Sequence, residues 1–214
     1  MISAFQSLKE IVFDTTISAY REGLFAGTSG NLSMFDPERK VVAITPSSQR
    51  YESMSATDII VIDLDGRTIE GTLKPSSEWR MHTEVYKQRA DMFAVVHTHS
   101  PYATSFAVIR KPIPIILIEM IGFLGGDVPV AEFAMPGSVE LGRTALKVLK
   151  NRNACLLSNH GVLAIAATLQ QAHIRAVYVE DAAKIYHLAL QTGDVSLVPE
   201  DALRKMKEKF GIRD

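Results

Sequence analysis

Apolar positions follow two different periods along this chain. Leu8, Ile11, Val12, Thr15 and Ala19 recur at steps of three and four, which predicts an amphipathic helix over residues 3–22, stopped by Gly23. Short apolar and β-branched runs then predict strands at 41–44, 58–64 and 68–73, with Asp65-Gly66 as the hairpin turn between the last two. A helix opens within Lys74-Pro75-Ser76-Ser77-Glu78-Trp79-Arg80 and runs to about Arg89, with a serine as N-cap and Trp79 and Val85 turned inward. Residues 93–98 read as a buried strand, and 101–109 as a helix broken by Lys111-Pro112-Ile113-Pro114. Residues 115–120 look strand-like, with Glu119 embedded near their end. Gly125-Gly126-Asp127 predicts a turn, 128–133 a short strand, and 137–151 a helix. An apolar run from Ala154 ends at His160-Gly161 and returns over 162–166. Thr168-Leu169-Gln170-Gln171 has the form of a capping box and opens a long helix to Thr192. A short basic helix from Pro199 closes at Gly211. Strands alternating with helices, joined by hairpins and short connections, predict an α/β fold. Its central sheet is largely antiparallel or mixed and covered by helices, in a single domain over residues 1–214.

Composition narrows the class of protein. A hydrophobic share of 47% against 22% charged residues is ordinary for a globular chain long enough to bury a substantial core. A formal net charge of -1 argues against a nucleic-acid binder, which needs a basic surface. No apolar run reaches the roughly 20 residues of a membrane span, and the start of the chain lacks the basic-then-apolar pattern of a secretory signal. The single cysteine, Cys155, excludes an internal disulfide and sits in an apolar run, so it reads as a core residue rather than a reactive thiol. These features predict a soluble protein of the reducing cytoplasm.

The candidate chemistry begins at the end of the 93–98 strand. Successive side chains on a strand point to opposite faces, so His97 and His99 share one face. Neutral imidazoles are common ligands for zinc and similar ions. The pair alone reads equally well as a chelating pair or as two partly exposed histidines at a strand end. His160, a third histidine at the end of a buried run, turns the balance toward metal. Three histidines plus an open position are the ligand set of a catalytic zinc site. Gly27-Thr28-Ser29-Gly30-Asn31-Leu32-Ser33 is a small, polar loop, and its residues alone favour a plain turn over an anion cradle. Thr45-Pro46-Ser47-Ser48 is a second loop rich in hydroxyls. Glu78, by itself, reads as a helix-start carboxylate stabilised by the helix dipole. His82 reads as structural or exposed, and His173 and His187, about four turns apart on one helix, as structural.

Taken together, Gly-Thr-Ser-Gly-Asn at 27–31, Thr-Pro-Ser-Ser at 45–48, Pro-Ser-Ser-Glu-Trp at 75–79, His-Thr-His at 97–99 and Asn-His-Gly at 159–161 resemble, in that order, the class II aldolase/adducin family. The L-fuculose-1-phosphate aldolase branch is the best match. The resemblance covers residues 6–192. It implies a metal-dependent cytoplasmic lyase of carbohydrate metabolism that cleaves a ketose 1-phosphate into dihydroxyacetone phosphate and an aldehyde. The metal set would be His97, His99, His160 and Glu78, holding Zn2+, with Mn2+ or Co2+ as alternatives. Glu78 would double as acid/base. The phosphate pocket would comprise Gly30, Asn31, Ser47, Ser48, Ser76 and Ser77. The branch places a tyrosine from a neighbouring subunit near the aldehyde. Here the matching place falls near Ile118 or Glu119, so Glu119 is the candidate proton donor and the substrate is expected to differ from fuculose phosphate, a 5-deoxypentulose 1-phosphate being suitable. The resemblance further implies a homotetramer with sites between subunits. A pentulose-5-phosphate 4-epimerase and a methylthioribulose-1-phosphate dehydratase are alternatives within the family. A non-catalytic adducin-like binding module fits less well, because that branch lacks the metal histidines.

Overall fold

The computed structural model describes residues 4–212. Eight strands form one sheet: β1 (Asn31–Asp36), β2 (Val41–Ile44), β3 (Ile60–Asp63), β4 (Thr68–Glu70), β5 (Ala94–Thr98), β6 (Val130–Ala131), β7 (Ala154–Leu157) and β8 (Gly161–Ala166). Their order across the sheet is β4-β3-β2-β1-β5-β8-β7-β6. Neighbours run antiparallel except for the parallel β6–β7 pair, so the sheet is mixed, as expected. Among the described residues, seven α-helices accompany it: α1 (Gln6–Arg21), α2 (Trp79–Gln88), α3 (Pro101–Val108), α4 (Ile118–Leu124), α5 (Val139–Leu149), α6 (Leu169–Thr192) and α7 (Glu200–Phe210).

The period-two alternation of the strands divides the core. Leu32, Ala94, Val96, Leu156, Val162 and Ala164 pack toward α1, α3 and α6. Val42, Ile60, Ile62, Val95, Cys155, Leu163 and Ile165 pack toward α2 and α5. Each large aliphatic side chain fully buried in this way contributes about 1.5–3 kcal/mol. Central strands β5, β7 and β8 are buried along their whole length, because helices cover both faces. On β5 the alternation has a functional consequence: His97 has the parity of Val95, so its ring emerges on the face covered by α2. Among the described residues, no helix is long and apolar enough to cross a membrane.

Three predicted elements need correction. Residues 31–36 lie in β1, a strand paired on both sides, where only a polar loop was expected up to Ser33. Its sequence, Asn-Leu-Ser-Met-Phe-Asp, has few β-branched residues, and tertiary pairing overrides that weak propensity. Residues 118–124 form helix α4, not the end of a strand over 115–120. The apolar run is short enough to fit either period, and the burial of Met120, Ile121 and Leu124 follows the helical one. The helix that opens near Lys74 begins only at Trp79, with Glu78 rather than a serine at the N-cap position. Thr168 caps α6 by accepting from the Gln171 N–H at 3.3 Å.

Candidate functional site

Adjacent strands bring the first two components together. Asn31 on β1 lies directly opposite His97 on β5. His97 in turn lies opposite Leu163 on β8, so the return strand that follows His160 flanks it on the other side. The turn between β7 and β8 puts Asn159 in the left-handed region at φ 56°, a conformation its short polar side chain tolerates. That turn presents His160 back over β5. Gly161 is required at the crossing: a Cβ there would lie 2.2 Å from the Thr98 carbonyl oxygen and 3.2 Å from His97 Cε1. On the covering layer, Glu78 stands just before α2 and points down at the same spot.

The result is a four-residue cluster, Glu78, His97, His99 and His160, whose ligand atoms all lie within 4.8 Å of one another. His97 Nε2 is 3.0 Å from His99 Nε2 and 3.0 Å from Glu78 Oε2, and His160 Nε2 is 3.4 Å from Glu78 Oε1. Donor separations of this size match the edges of a coordination polyhedron with bonds of about 2.0–2.2 Å. His97 is fully buried and its Nδ1–H donates to the Val162 carbonyl at 2.8 Å, which leaves Nε2 facing the cluster. Such a carbonyl partner fixes the ligating tautomer. Glu78 Oε1 is buried with no hydrogen-bond partner among the described residues. A buried carboxylate oxygen without a donor is costly, and a cation at the centre of the cluster would satisfy it. The donor set, three imidazoles and one carboxylate, suits a borderline-soft divalent ion.

The side chains of the cluster set one another's charge. Burial pushes the Glu78 carboxyl up, but the facing His97 cation overcomes this and holds it well below the usual carboxylate range. Burial pulls His97 down, yet Glu78 wins and leaves it raised. Burial together with the charge on His97 lowers His99 to about 3 and His160 to about 4, so both are neutral and able to bind metal at neutral pH.

All six residues expected to hold phosphate gather beside this cluster. Gly30, Asn31, Ser47, Ser48, Ser76 and Ser77 line a cleft of about 220 Å³ whose floor includes Glu78, His99 and His160. Thr28, Ser29, Pro46 and Pro136 complete its wall, and none of these was among the expected contacts. Among the described residues no lysine or arginine lines it, so beyond Glu78, His99 and His160 its polar groups are hydroxyls, an amide and backbone. The two hydroxyl-rich loops are tied together through the Ser47 N–H to the Lys74 carbonyl at 2.9 Å and the Ser76 N–H to the Thr45 carbonyl at 2.9 Å. Tyr51 donates to the Ser29 and Gly30 carbonyls at 2.8 and 3.0 Å and pins the first loop from behind.

Glu119 does not join the cluster within one chain. It is exposed in the first turn of α4 and lines a separate groove with Ile118, Gly122, Phe123, Met206 and Phe210. His82, read from sequence as structural or exposed, is fully buried. It is not a ligand but bonds to Asn31, which bonds to Glu78. The available signal was its spacing: His82 follows Glu78 by four residues, one helical turn along the same face. His173 and His187 lie apart from the cluster, the first 2.8 Å from Glu22 and the second against Tyr102.

Known proteins resemble this chain over most of its length. The family described as class II aldolase and adducin N-terminal domain matches residues 10–187. The 5-deoxy-D-ribulose 1-phosphate aldolase of Bacillus thuringiensis serovar kurstaki is 39% identical over 188 residues, 88% of each chain. The 5-methylthioribulose-1-phosphate/5-deoxyribulose-1-phosphate aldolase of Rhodospirillum rubrum is 37% identical, over 95% of this chain and 91% of its own. Among solved structures, an L-fuculose 1-phosphate aldolase superposes with a TM-score of 0.90 at 40% identity, covering 99% of this chain and 98% of that one.

Proposed function

The chain belongs to the class II aldolase and adducin family, and on that premise we propose that it is a metal-dependent lyase that splits a ketose 1-phosphate into dihydroxyacetone phosphate and an aldehyde. The observation that carries this reading is the Glu78, His97, His99 and His160 cluster, three of whose members, Glu78, His99 and His160, line a hydroxyl-rich cleft. The ion this set would hold is zinc, through His97, His99 and His160, with Glu78 as a fourth ligand before substrate binds. Bound there, a divalent ion supplies Lewis acidity that stabilises the negative charge left on the substrate oxygens, worth several kcal/mol.

The chain's own residues supply position and proton transfer. Gly30, Asn31, Ser47, Ser48, Ser76 and Ser77 hold the phosphate with neutral donors and so fix the first three carbons, an effect of orientation. In cleavage the C4 hydroxyl gives up its proton as C4 becomes the aldehyde. The C3–C4 bonding pair stays with C3, which then takes a proton. Glu78 carries that last proton. Once substrate oxygens displaced Glu78 from the ion, burial would favour its protonated form and move its pKa toward the working pH a general acid or base needs.

The aldehyde is short and deoxygenated at its far carbon, as in 5-deoxyribulose 1-phosphate, on which two relatives act by name. Glu119 from a neighbouring copy of a cytoplasmic homotetramer takes the C4 hydroxyl proton during cleavage and returns it to the aldehyde oxygen in the reverse direction. The exposed apolar residues around it, Ile118 at 53%, Phe123 at 39% and Phe210 at 49%, are what an interface would cover and support this placement. The test is cleavage of 5-deoxyribulose 1-phosphate and fuculose 1-phosphate by the zinc-loaded protein, with dihydroxyacetone phosphate measured by a coupled reductase. Glu78→Gln should keep stoichiometric metal and lose turnover by at least about 100-fold, the scale of a general acid–base contribution. Full activity in that variant, or no triose phosphate from any ketose 1-phosphate, would reject the proposal.

A further inference from the structure

Behind Glu78 lies a line of buried polar groups that touches no cleft surface beyond Asn31. Asn31 Nδ2 is 2.9 Å from Glu78 Oε2, and Asn31 Oδ1 is 2.5 Å from His82 Nε2. His82 Nδ1 is 2.6 Å from Ser33 Oγ, which is 2.6 Å from the Tyr86 hydroxyl. The Tyr86 hydroxyl also reaches the Ser33 carbonyl at 3.0 Å. Asn31, Ser33, His82 and Tyr86 are all buried, the middle two completely. The N-cap position of α2 supplies Glu78, and its next two turns supply His82 and Tyr86 at steps of four, while alternate residues of β1 supply Asn31 and Ser33.

The donors in this line can run in only one direction. An ionised Glu78 only accepts, so Asn31 must turn its NH2 toward it. The Asn31 carbonyl then faces His82 and needs an N–H, which places the imidazole proton on Nε2. His82 Nδ1 is thereby an acceptor and takes the Ser33 hydroxyl proton. Tyr86 closes the line by donating to Ser33. Burial is the main reason His82 stays neutral, which the alternating pattern requires.

We infer that His82 is a positioning residue for Glu78: through its Nε2–H it locks the amide of Asn31 so that Asn31 holds one carboxylate oxygen of Glu78 and leaves the other for the ion. Without His82, nothing on that side prefers the Asn31 carbonyl over its NH2. A flipped Asn31 would aim an oxygen at the carboxylate. The inference rests on the reading of Glu78 as metal ligand and acid/base.

The test compares His82→Leu, His82→Gln, Ser33→Ala and Asn31→Ala in the zinc-loaded full chain. Outer partners of metal ligands typically contribute 10–100-fold. His82→Leu should therefore weaken zinc in chelator competition by about tenfold or more and lower kcat by a similar factor. His82→Gln, which can offer an N–H to Asn31 and an oxygen to Ser33, should restore both to within about threefold. Combined with Asn31→Ala, His82→Leu should add nothing further, because its route to Glu78 is already cut. Imidazole nitrogen spectra of the metal-free wild type should show His82 neutral with its proton on Nε2. That measurement, with Ser33→Ala, stands even if His82→Leu fails to fold. A proton on Nδ1, full additivity with Asn31→Ala, or lowered thermal stability with unchanged zinc affinity would each overturn the inference. A wild type that binds no divalent ion would instead overturn the reading of Glu78, and this one with it.

Discussion

Replacing Gly161 by alanine should damage the metal site through the backbone, without removing any ligand. Its φ is not in the left-handed region, so conformational freedom is not the issue. The added Cβ would stand 2.2 Å from the Thr98 carbonyl oxygen. That is about 1 Å or more short of a comfortable separation of heavy atoms. The obstacle is backbone on a fully buried central strand, so no flexible side chain can swing away. The strand pair β5–β8 must open at Thr98 and Val162, whose register sits next to His97. The same movement disturbs the 2.8 Å bond from His97 Nδ1 to the Val162 carbonyl. Overpacking of this kind costs about 1–3 kcal/mol in stability. Ligand positions in a metal site tolerate only about 0.2 Å, so a shift of several times that should weaken zinc by about 10–100-fold, equivalent to about 1.4–2.7 kcal/mol. Urea unfolding of the metal-free protein measures the first quantity and chelator competition the second. Gly193→Ala is the control: nothing lies within 4 Å of its added Cβ, and it should stay within about 0.5 kcal/mol of wild type. Wild-type zinc affinity in Gly161→Ala would refute the idea that this contact seats His97.

Further outcomes follow from the same geometry. The metal-free protein should lose stability as pH falls from about 6.5 to about 4, because His82, His99 and His160, lowered chiefly by burial to about 3, 3 and 4, stay neutral when folded but take protons once unfolded. His97 shifts the other way, and its contribution is fully present below its unfolded value and lost only as pH rises through its raised folded one, so it does not cancel this loss; equal unfolding midpoints in urea at pH 7 and pH 5 would contradict the argument. Tyr51→Phe removes the donor to the Ser29 and Gly30 carbonyls, so KM for the phosphorylated substrate should rise about 3–10-fold, the worth of one lost hydrogen bond. Zinc affinity in that variant should not move. Cys155, fully buried with its thiol pushed up by desolvation, should resist thiol reagents until the chain unfolds, and rapid labelling of the native protein would place it elsewhere.

How much of this site could be read before the fold was known depends on whether a residue's role is local. The parity of a strand is local, and it correctly set His97 and His99 on one face. The end of an apolar run is local too, and it singled out His160. Glu78 is different. Nothing in its own surroundings separates a ligand from an ordinary helix-start acid, and only the family resemblance assigned it. The three polar loops behave in the same way. None of them marks an anion site alone, and they become one cleft because β1 pairs with β5 and the loop after β2 bonds to the segment before α2. Missing β1 therefore concealed the reason Asn31 faces His97.

His82 shows the same limit most sharply. A histidine without a histidine neighbour resembles a core or surface residue, and its burial depends on β1 lying beneath α2. Yet its distance from Glu78 in sequence was a usable clue. A residue one helical turn beyond a functional acid shares its face, so it meets whatever strand that acid meets. Here that strand is β1, and the polar residues it turns upward, Asn31 and Ser33, alternate with Leu32 on the opposite, apolar side. A helix with Glu, His and Tyr at steps of four over a strand with Asn and Ser at a step of two can satisfy its buried groups only by bonding them across the layers. The polar residues in these two elements are thus one feature, and their chemistry becomes legible once the strand and helix periods are read against each other.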